Sequence, residues 1–205
     1  MKGLLTLNDG SRLVKLARDA IESTLNGTKL EVSNDIVEKY SMKAGVFVTL
    51  NRLHSDTEEL RGCIGYPLPY KPLYQAIIDS AISASRDPRF EPVKADEIDY
   101  IVVELSILTE PELLKAKDPR DYPKMIKVGR DGLLIYWRYG SGLLLPQVAV
   151  EYRWDEERFL CETCMKAGAL PDCWLYEDTK VYRFQALIFK ETKPRGEVIM
   201  LNSIH

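Results

Sequence analysis

A mainly antiparallel α+β fold, with helices flanking the sheet, is predicted for this chain of 205 residues. Three observations carry the prediction. Strand-like runs come in pairs joined by short polar or glycine-rich turns. Helical periodicities stand between those pairs instead of alternating strictly with single strands. No run is apolar enough over its length to span a membrane.

The elements follow in order. Residues 11–26 read as a helix, with Leu13, Leu16, Ala17, Ala20, Ile21 and Leu25 at helical spacing. Ser11 can cap its start and Asn26-Gly27 can end it. Gly45 to Leu53 reads as a strand, His54 to Glu59 as a hairpin loop, and residues 60–66 as the return strand. Pro72 suits the first turn of a helix that buries Leu73, Ala76, Ile77, Ala81 and Ala84 and runs to about Arg86. Ile101 to Thr109 is the clearest strand, apolar on both faces until Glu104 and Ser106 interrupt one. Residues 127–137 predict a strand–turn–strand about Gly129–Gly132, and Gly140-Ser141-Gly142 a further turn before Leu143. Asp155 can cap a helix reaching Ala167, with Gly168 as its stop, and a last strand covers about 180–190.

Composition narrows the function. Apolar residues at 45% and charged residues at 29% are ordinary for a globular protein. Three Trp and eleven Tyr argue against disorder. A net charge of -3 offers no bulk attraction to phosphate backbones, so nucleic acid is not an expected partner. The first nine residues turn polar too early for a secretory signal, which leads to a cytoplasmic expectation and no membrane partner. Three Gln and five Asn against many Lys and Glu is a thermophile-like bias. Neither GxxxxGK[ST] nor GxGxxG occurs.

The densest chemistry is Leu60-Arg61-Gly62-Cys63-Ile64-Gly65. Paired glycines inside a strand mark a bulge or a close approach by a backbone or ligand, so Gly62 and Gly65 point to a ligand contact. Arg61 and Cys63 are two apart and share a face on a regular strand. Together they offer a cation beside a possible nucleophile. The competing reading is a buried thiol with Arg61 paired at the rim. A Cys–His relay is hard to build, because the two histidines are His54 in a loop and His205 at the end. Arg86-Asp87-Pro88-Arg89-Phe90 follows a helix, and Asp87 with Arg89 could clamp an anion, although helix termination explains Arg86 and Pro88. Gln147 and Glu151 share a face if residues 146–151 are helical. Glu104, alone on an apolar strand, must lie at an edge, be paired, or be shifted in pKa. Cys161-Glu162-Thr163-Cys164 with Cys173 is a poor metal set for its spacing, and no metal is expected. The three are read as buried thiols, or as containing a Cys164–Cys173 disulfide.

LRGCIG at 60–65, DPRF at 87–90, LPQVA from Leu145 and Lys166-Ala167-Gly168 with Trp174 downstream give the chain its resemblance to the AMMECR family, in a stand-alone archaeal-type form. The resemblance implies one domain over 1–205, built of two unequal, closely packed subdomains with the signature toward a cleft between them. It implies no known activity or cofactor. Family relatives occur beside radical-SAM enzymes and Memo-like proteins, which implies partners of that kind. The functional expectation is an enzyme, or an enzyme subunit, acting on a small anionic or nucleotide-like ligand. Cys63, Glu104 and Glu151 would be its catalytic candidates. Arg61, Gly62, Gly65, Asp87, Arg89 and Gln147 would be its binding candidates. The alternative is a non-catalytic module that docks protein or RNA.

Overall fold

The computed structural model describes residues 5–55 and 57–201. Along the chain run α1 (Leu7–Leu25), α2 (Asn34–Lys39), β1 (Gly45–His54), β2 (Thr57–Tyr66), α3 (Leu73–Ala84), β3 (Ile101–Leu108), β4 (Glu112–Leu113), α4 (Tyr122–Met125), β5 (Gly132–Trp137), β6 (Gly140–Leu144), α5 (Pro146–Glu151), α6 (Glu156–Lys166), β7 (Lys180–Phe184), β8 (Ala186–Glu191) and β9 (Val198–Leu201). The chain divides into two compact units. The first takes residues up to Leu108 and returns for Leu187–Leu201; the second takes Thr109–Ala186. No helix of the described residues is long and apolar enough to cross a membrane.

The first unit holds a five-stranded sheet in the order β2-β1-β3-β8-β9. Helices α1 and α3 pack on one face of it. Strand alternation sends Val46, Val48, Leu50, Val103, Leu105 and Ile107 into that helix-covered core. Helix α1 begins four residues before the expected start. Thr6, not Ser11, is its cap: Asp9 N donates to Thr6 Oγ1 (3.3 Å), and Thr6 N donates to Asp9 Oδ2 (2.8 Å). Ser11 lies inside the helix and donates to Leu7 O. The reciprocal bonds satisfy two orphan donors, which a lone serine cannot do.

The second unit holds a four-stranded sheet in the order β4-β7-β5-β6, with a core that includes Leu133, Ile135, Phe159, Leu160 and Val181. Two expected turns resolve differently. Residues 127–131 are no strand but a turn, closed by Asp131, whose carboxylate accepts from Lys127 N at 2.9 Å. Gly140 and Gly142 lie within β6, and the turn falls at Arg138-Tyr139. The glycines serve a close approach: a Cβ at Gly142 would stand 2.5 Å from Ala167 N at the end of α6. The expected last strand is two strands in two sheets. It breaks at Gln185, which Thr109 takes up through its backbone N–H (2.8 Å to Gln185 O) and its hydroxyl (2.7 Å from Gln185 N). Helix α6 starts and stops where expected, with Asp155 accepting from Arg158 N and Gly168 at φ 74°. Cys164 and Cys173 form a disulfide with Cα atoms 5.8 Å apart, leaving Cys63 and Cys161 as free thiols.

Candidate functional site

Strand β2 is an edge strand, and a β-bulge sits in it. Leu50 pairs with Gly62 while Asn51 pairs with Leu60, so Arg61 is the extra residue. Here the structure corrects the regular-strand expectation that Arg61 and Cys63 share a face. Arg61 goes with Gly62 to the helix-covered side. Its guanidinium meets Glu97 (3.2 and 3.1 Å) and Pro92 O (3.3 Å). Arg52 also reaches Glu97, at 3.5 Å. Burial pushes the Glu97 carboxyl up, but Arg61, the Lys94 N–H and Arg52 outweigh it and hold the group below its ordinary range. Arg61 is thus a fastening of the bulge.

Both signature glycines are required by close backbone approaches. A Cβ at Gly62 would stand 2.1 Å from Ala84 O, and one at Gly65 2.2 Å from Val46 O. Neighbouring backbone, not a ligand, occupies the space that each lacks a side chain to fill.

Cys63 faces the opposite side of the sheet. It pairs with Thr49, and Thr49 pairs with Glu104, so the three form a row across β2, β1 and β3. Thr49 Oγ1 lies 3.3 Å from Cys63 Sγ. Farther along this face, Lys190 on β8 pairs with Glu58 at 2.6 Å. The Glu104 carboxyl has no hydrogen-bond or ion-pair partner among the described residues. Burial raises its pKa; the Lys190 charge pulls it down and Glu58 pushes it up. Burial likewise raises the Cys63 thiol above an ordinary cysteine. Thr49 and the Arg89 charge oppose the shift, and Glu104 and Asp87 add to it. The balance of these influences favours the thiol form of Cys63 over the thiolate.

The DPRF turn closes the free edge of β2. Asp87, 1% exposed at its side chain, accepts from Cys63 N at 2.9 Å. It also accepts from Arg89 N (3.1 Å), Arg89 Nε (3.0 Å) and Arg89 Nη2 (2.6 Å). Arg89 Nη2 in turn donates to Cys63 O at 3.3 Å. The two side chains thus serve the Cys63 peptide as a neighbouring strand would. Arg89 and the backbone N–H donors hold the Asp87 carboxyl well below the usual carboxylate range. Fixed along one edge, Arg89 remains 56% exposed, and its Nη1 makes no hydrogen bond among the described residues.

Arg61, Cys63, Asp87, Arg89 and Glu104 all belong to the first unit; Gln147 and Glu151 belong to the second. Residues 146–151 are helical, so that pair does share a face of α5. Gln147 Oε1 is buried without a hydrogen-bond partner among the described residues, and Glu151 is exposed. His54 is exposed in the hairpin, 3.4 Å from Glu59. Among the described residues no three His, Cys, Asp or Glu side chains converge as a metal site. Sequence reasoning missed Thr49 and Lys190, because their place beside Cys63 and Glu104 depends on strand register.

The opposite pKa shifts of Glu104 and Asp87 predict opposite acid behaviour. Glu104 is raised, so its ionised form penalises the fold once pH exceeds the ordinary glutamate value of about 4.3. Glu104→Gln is expected to raise the melting temperature at pH 7 and to leave it unchanged below about pH 4. Asp87 is depressed, so its contribution is full at neutral pH and is lost as pH falls below the ordinary aspartate range. Asp87→Asn should then lower the melting temperature at pH 7 and converge with the parent in acid. Melting curves taken downward from about pH 8 read both: the Glu104 difference should vanish below about pH 4, and the Asp87 difference should only begin to narrow there, closing further into acid.

The AMMECR1 family model matches residues 14–189. Protein PYRAB00100 of Pyrococcus abyssi is 57% identical over 192 residues, covering 92% of this chain and 93% of that one. Protein MJ0810 of Methanocaldococcus jannaschii is 52% identical over 197 residues, covering 96% of each. The crystal structure of the uncharacterized protein PH0010 from Pyrococcus horikoshii is similar with a TM-score of 0.85 at 54% identity, over 94% of this chain and 96% of that one.

Proposed function

From the premise that the chain belongs to the AMMECR1 family, we propose that it is a cytoplasmic enzyme, or the ligand-binding subunit of one, acting on a small anionic substrate at the Cys63 strand. One observation supports this most. Arg89 is pinned by a buried aspartate beside a thiol and keeps an unbonded guanidinium edge. A guanidinium oriented in advance binds a carboxylate or phosphate with little loss of side-chain freedom. In this reading Arg89 is the anion contact and Asp87 its positioning residue. Glu104, whose raised pKa favours the protonated form, is the acid. Cys63 is the contact residue, and becomes the nucleophile once a base or a bound ligand removes its proton. Arg61 supports the strand from the other side of the sheet. In the second unit Gln147, whose buried oxygen has no partner among the described residues, is a further binding candidate, and Glu151 a further acid–base candidate. Radical-SAM and Memo-like proteins, implied by the family resemblance, are the partners of the same proposal.

The test uses a Cys161→Ser background, which leaves Cys63 as the free thiol. Its alkylation by iodoacetamide is followed against pH, with the modified residue identified by mass spectrometry. The expected midpoint lies above that of a free thiol, about 8.5. Arg89→Ala should move it up, because a nearby positive charge is removed. Glu104→Gln should move it down, because a nearby negative charge is removed. A small anion retained from a metabolite mixture should be lost with Arg89→Ala. If neither substitution moves the midpoint and no anion is retained, the proposal fails.

A further inference from the structure

We propose that the second unit carries a binding site for a small zwitterion of the α-amino-acid class, at the end of its sheet where β5 begins and β7 ends. A cavity of about 310 Å³ opens there, at the small end of the range for ligand sites. Gly132 and Phe184 close the sheet beside it: a Cβ at Gly132 would stand 2.4 Å from the Phe184 ring. The strand and ring are therefore in tight contact at this end.

Asp131 is fully engaged. Its side chain is 1% exposed and accepts from Lys127 N (2.9 Å), Arg130 Nε (2.9 Å), Arg130 Nη2 (2.5 Å) and Gln185 Nε2 (3.5 Å). It has no capacity left for a ligand, and what it fixes is Arg130. That guanidinium is held along one edge, and its Nη1 makes no hydrogen bond among the described residues. Arg183 is engaged on every side. Glu112 takes its Nε (3.0 Å) and Nη2 (2.9 Å), and Met125 O takes its Nη1 (2.9 Å). The cavity thus offers one guanidinium edge. It also offers one uncommitted carboxylate, because Glu110 is exposed and has no hydrogen-bond or ion-pair partner among the described residues.

Charge selects the ligand class. The lining holds Arg130 and Arg183 against Glu110, Glu112 and Asp131. Arg130 is paired with Asp131 and Arg183 with Glu112, so the net charge of the lining is that of Glu110; a lone anion at Arg130 is opposed by it, and a lone cation at Glu110 leaves the Arg130 edge unfilled. A molecule that carries both a carboxylate and an ammonium can use Arg130 and Glu110 together, because both line this one small cavity. The planar guanidinium edge suits the carboxylate, and the carboxylate of Glu110 suits an ammonium. The site is independent of the Cys63 strand and of the function proposed there.

The experiment titrates the full chain with each standard amino acid, read by amide chemical shifts. Propionate, ethylamine and inorganic phosphate serve as probes that carry one charge type each. The expected result is saturable binding of at least one amino acid at about millimolar concentration, shifting amides of Thr109, Glu110, Glu112, residues 130–132 and residues 183–185. The three single-charge probes should not saturate. Glu110→Gln and Arg130→Gln should each weaken binding about tenfold or more, the worth of one charge-assisted contact. Arg130→Gln removes two donors from buried Asp131, so its melting is checked first. Glu110→Gln changes an exposed side chain, keeps the fold, and decides the case. No amino acid saturating below about 10 mM, equal binding of propionate, ethylamine or phosphate, or binding untouched by Glu110→Gln would each overturn the proposal.

Discussion

Arg18→Met is expected to destabilise the protein by about 3–5 kcal/mol, as is Glu191→Leu, the range for breaking one side of a buried ion pair. Arg18 is 5% exposed and Glu191 3%. They meet through two parallel bonds, Nε to Oε1 at 2.7 Å and Nη2 to Oε2 at 2.5 Å. Arg18 also donates to Ile101 O (2.6 Å) and Ile98 O (3.4 Å), and Glu191 accepts from Val103 N (2.9 Å). The pair therefore ties α1 to β3 and β8 at once. Methionine fills much of the arginine's volume but leaves a buried carboxylate with the Val103 N–H as its remaining hydrogen bond, whereas leucine at 191 leaves Arg18 with Glu22, at 3.6 Å, as its remaining ion pair, so the second loss belongs at the lower end of the range. The double variant should lose less than the two singles together, since no unpaired charge survives in it. Denaturant unfolding of the four proteins gives the coupling. Single losses below about 1 kcal/mol would show that water or local rearrangement satisfies the orphaned charge. The relatives come from thermophilic archaea. The penalty for desolvating charge falls as temperature rises, so the pair should weigh more favourably near the melting point than at 25 °C.

What the sequence disclosed depended on whether the information was local. The periodicity of residues 13–25 and the turn chemistry of Asp155 and Gly168 lie within one element, and α1 and α6 appear where those signals put them, apart from the first turn of α1. Strand β1 and the pairing of β1 with β2 were legible for the same reason, and so was the α+β class, although β1 reaches His54 and β2 starts at Thr57, inside the loop expected over residues 54–59. The two-sheet division was not. Nothing at Gln185 shows that β7 and β8 part company there, because the break is made by Thr109, far away in the chain. Helix α2 and strands β4 and β9 are short, and too few residues carry a periodic signal in them. For the candidate site, the sequence gathered Arg61, Cys63, Asp87, Arg89 and Glu104 by residue type. Which of them meet is a matter of register. Continued without interruption from the Asn51–Leu60 pair, the hairpin would place Cys63 opposite Val48, inside the helix-covered core. The extra residue at Arg61 shifts the pairing by one and turns Cys63 toward Thr49 and Glu104. A single bulge thus separates a core cysteine from a site cysteine. Spacing leaves Arg61 open between an anion contact and a paired residue at the rim, because its partner Glu97 is distant in sequence; the structure gives the pair.

Gly62→Val is expected to damage the fold severely, while Cys63→Ser one residue away leaves the melting temperature nearly unchanged. The obstacle at Gly62 is backbone: the new Cβ would stand 2.1 Å from Ala84 O and 3.1 Å from the Ala84 carbonyl carbon, with Asp87 Cβ at 3.4 Å. No side-chain rotation relieves that contact, so either β2 or the end of α3 must move. Overpacking of this kind costs about 1–3 kcal/mol even where side chains can yield, and valine at a rigid contact belongs at the upper end or beyond. Displacing the end of α3 would also carry Asp87 away from Cys63 N, so the bond that closes the β2 edge would be lost with the packing. Gly62→Ala, with one methyl, should show the same effect in smaller measure. Serine at position 63 keeps the shape and can still bond Thr49 Oγ1. The loss there should stay below about 1 kcal/mol, the ordinary scale for a mild change away from a tight core. Thermal melting of the three variants, with alkylation of Gly62→Ala at Cys63, separates scaffold from chemistry. Gly62→Ala should alkylate faster than the parent at equal pH, because loosening the strand lets water reach the thiol and lowers its pKa. If Cys63→Ser melts as low as Gly62→Val, the thiol is core packing, and the proposal that it takes part in chemistry falls with it.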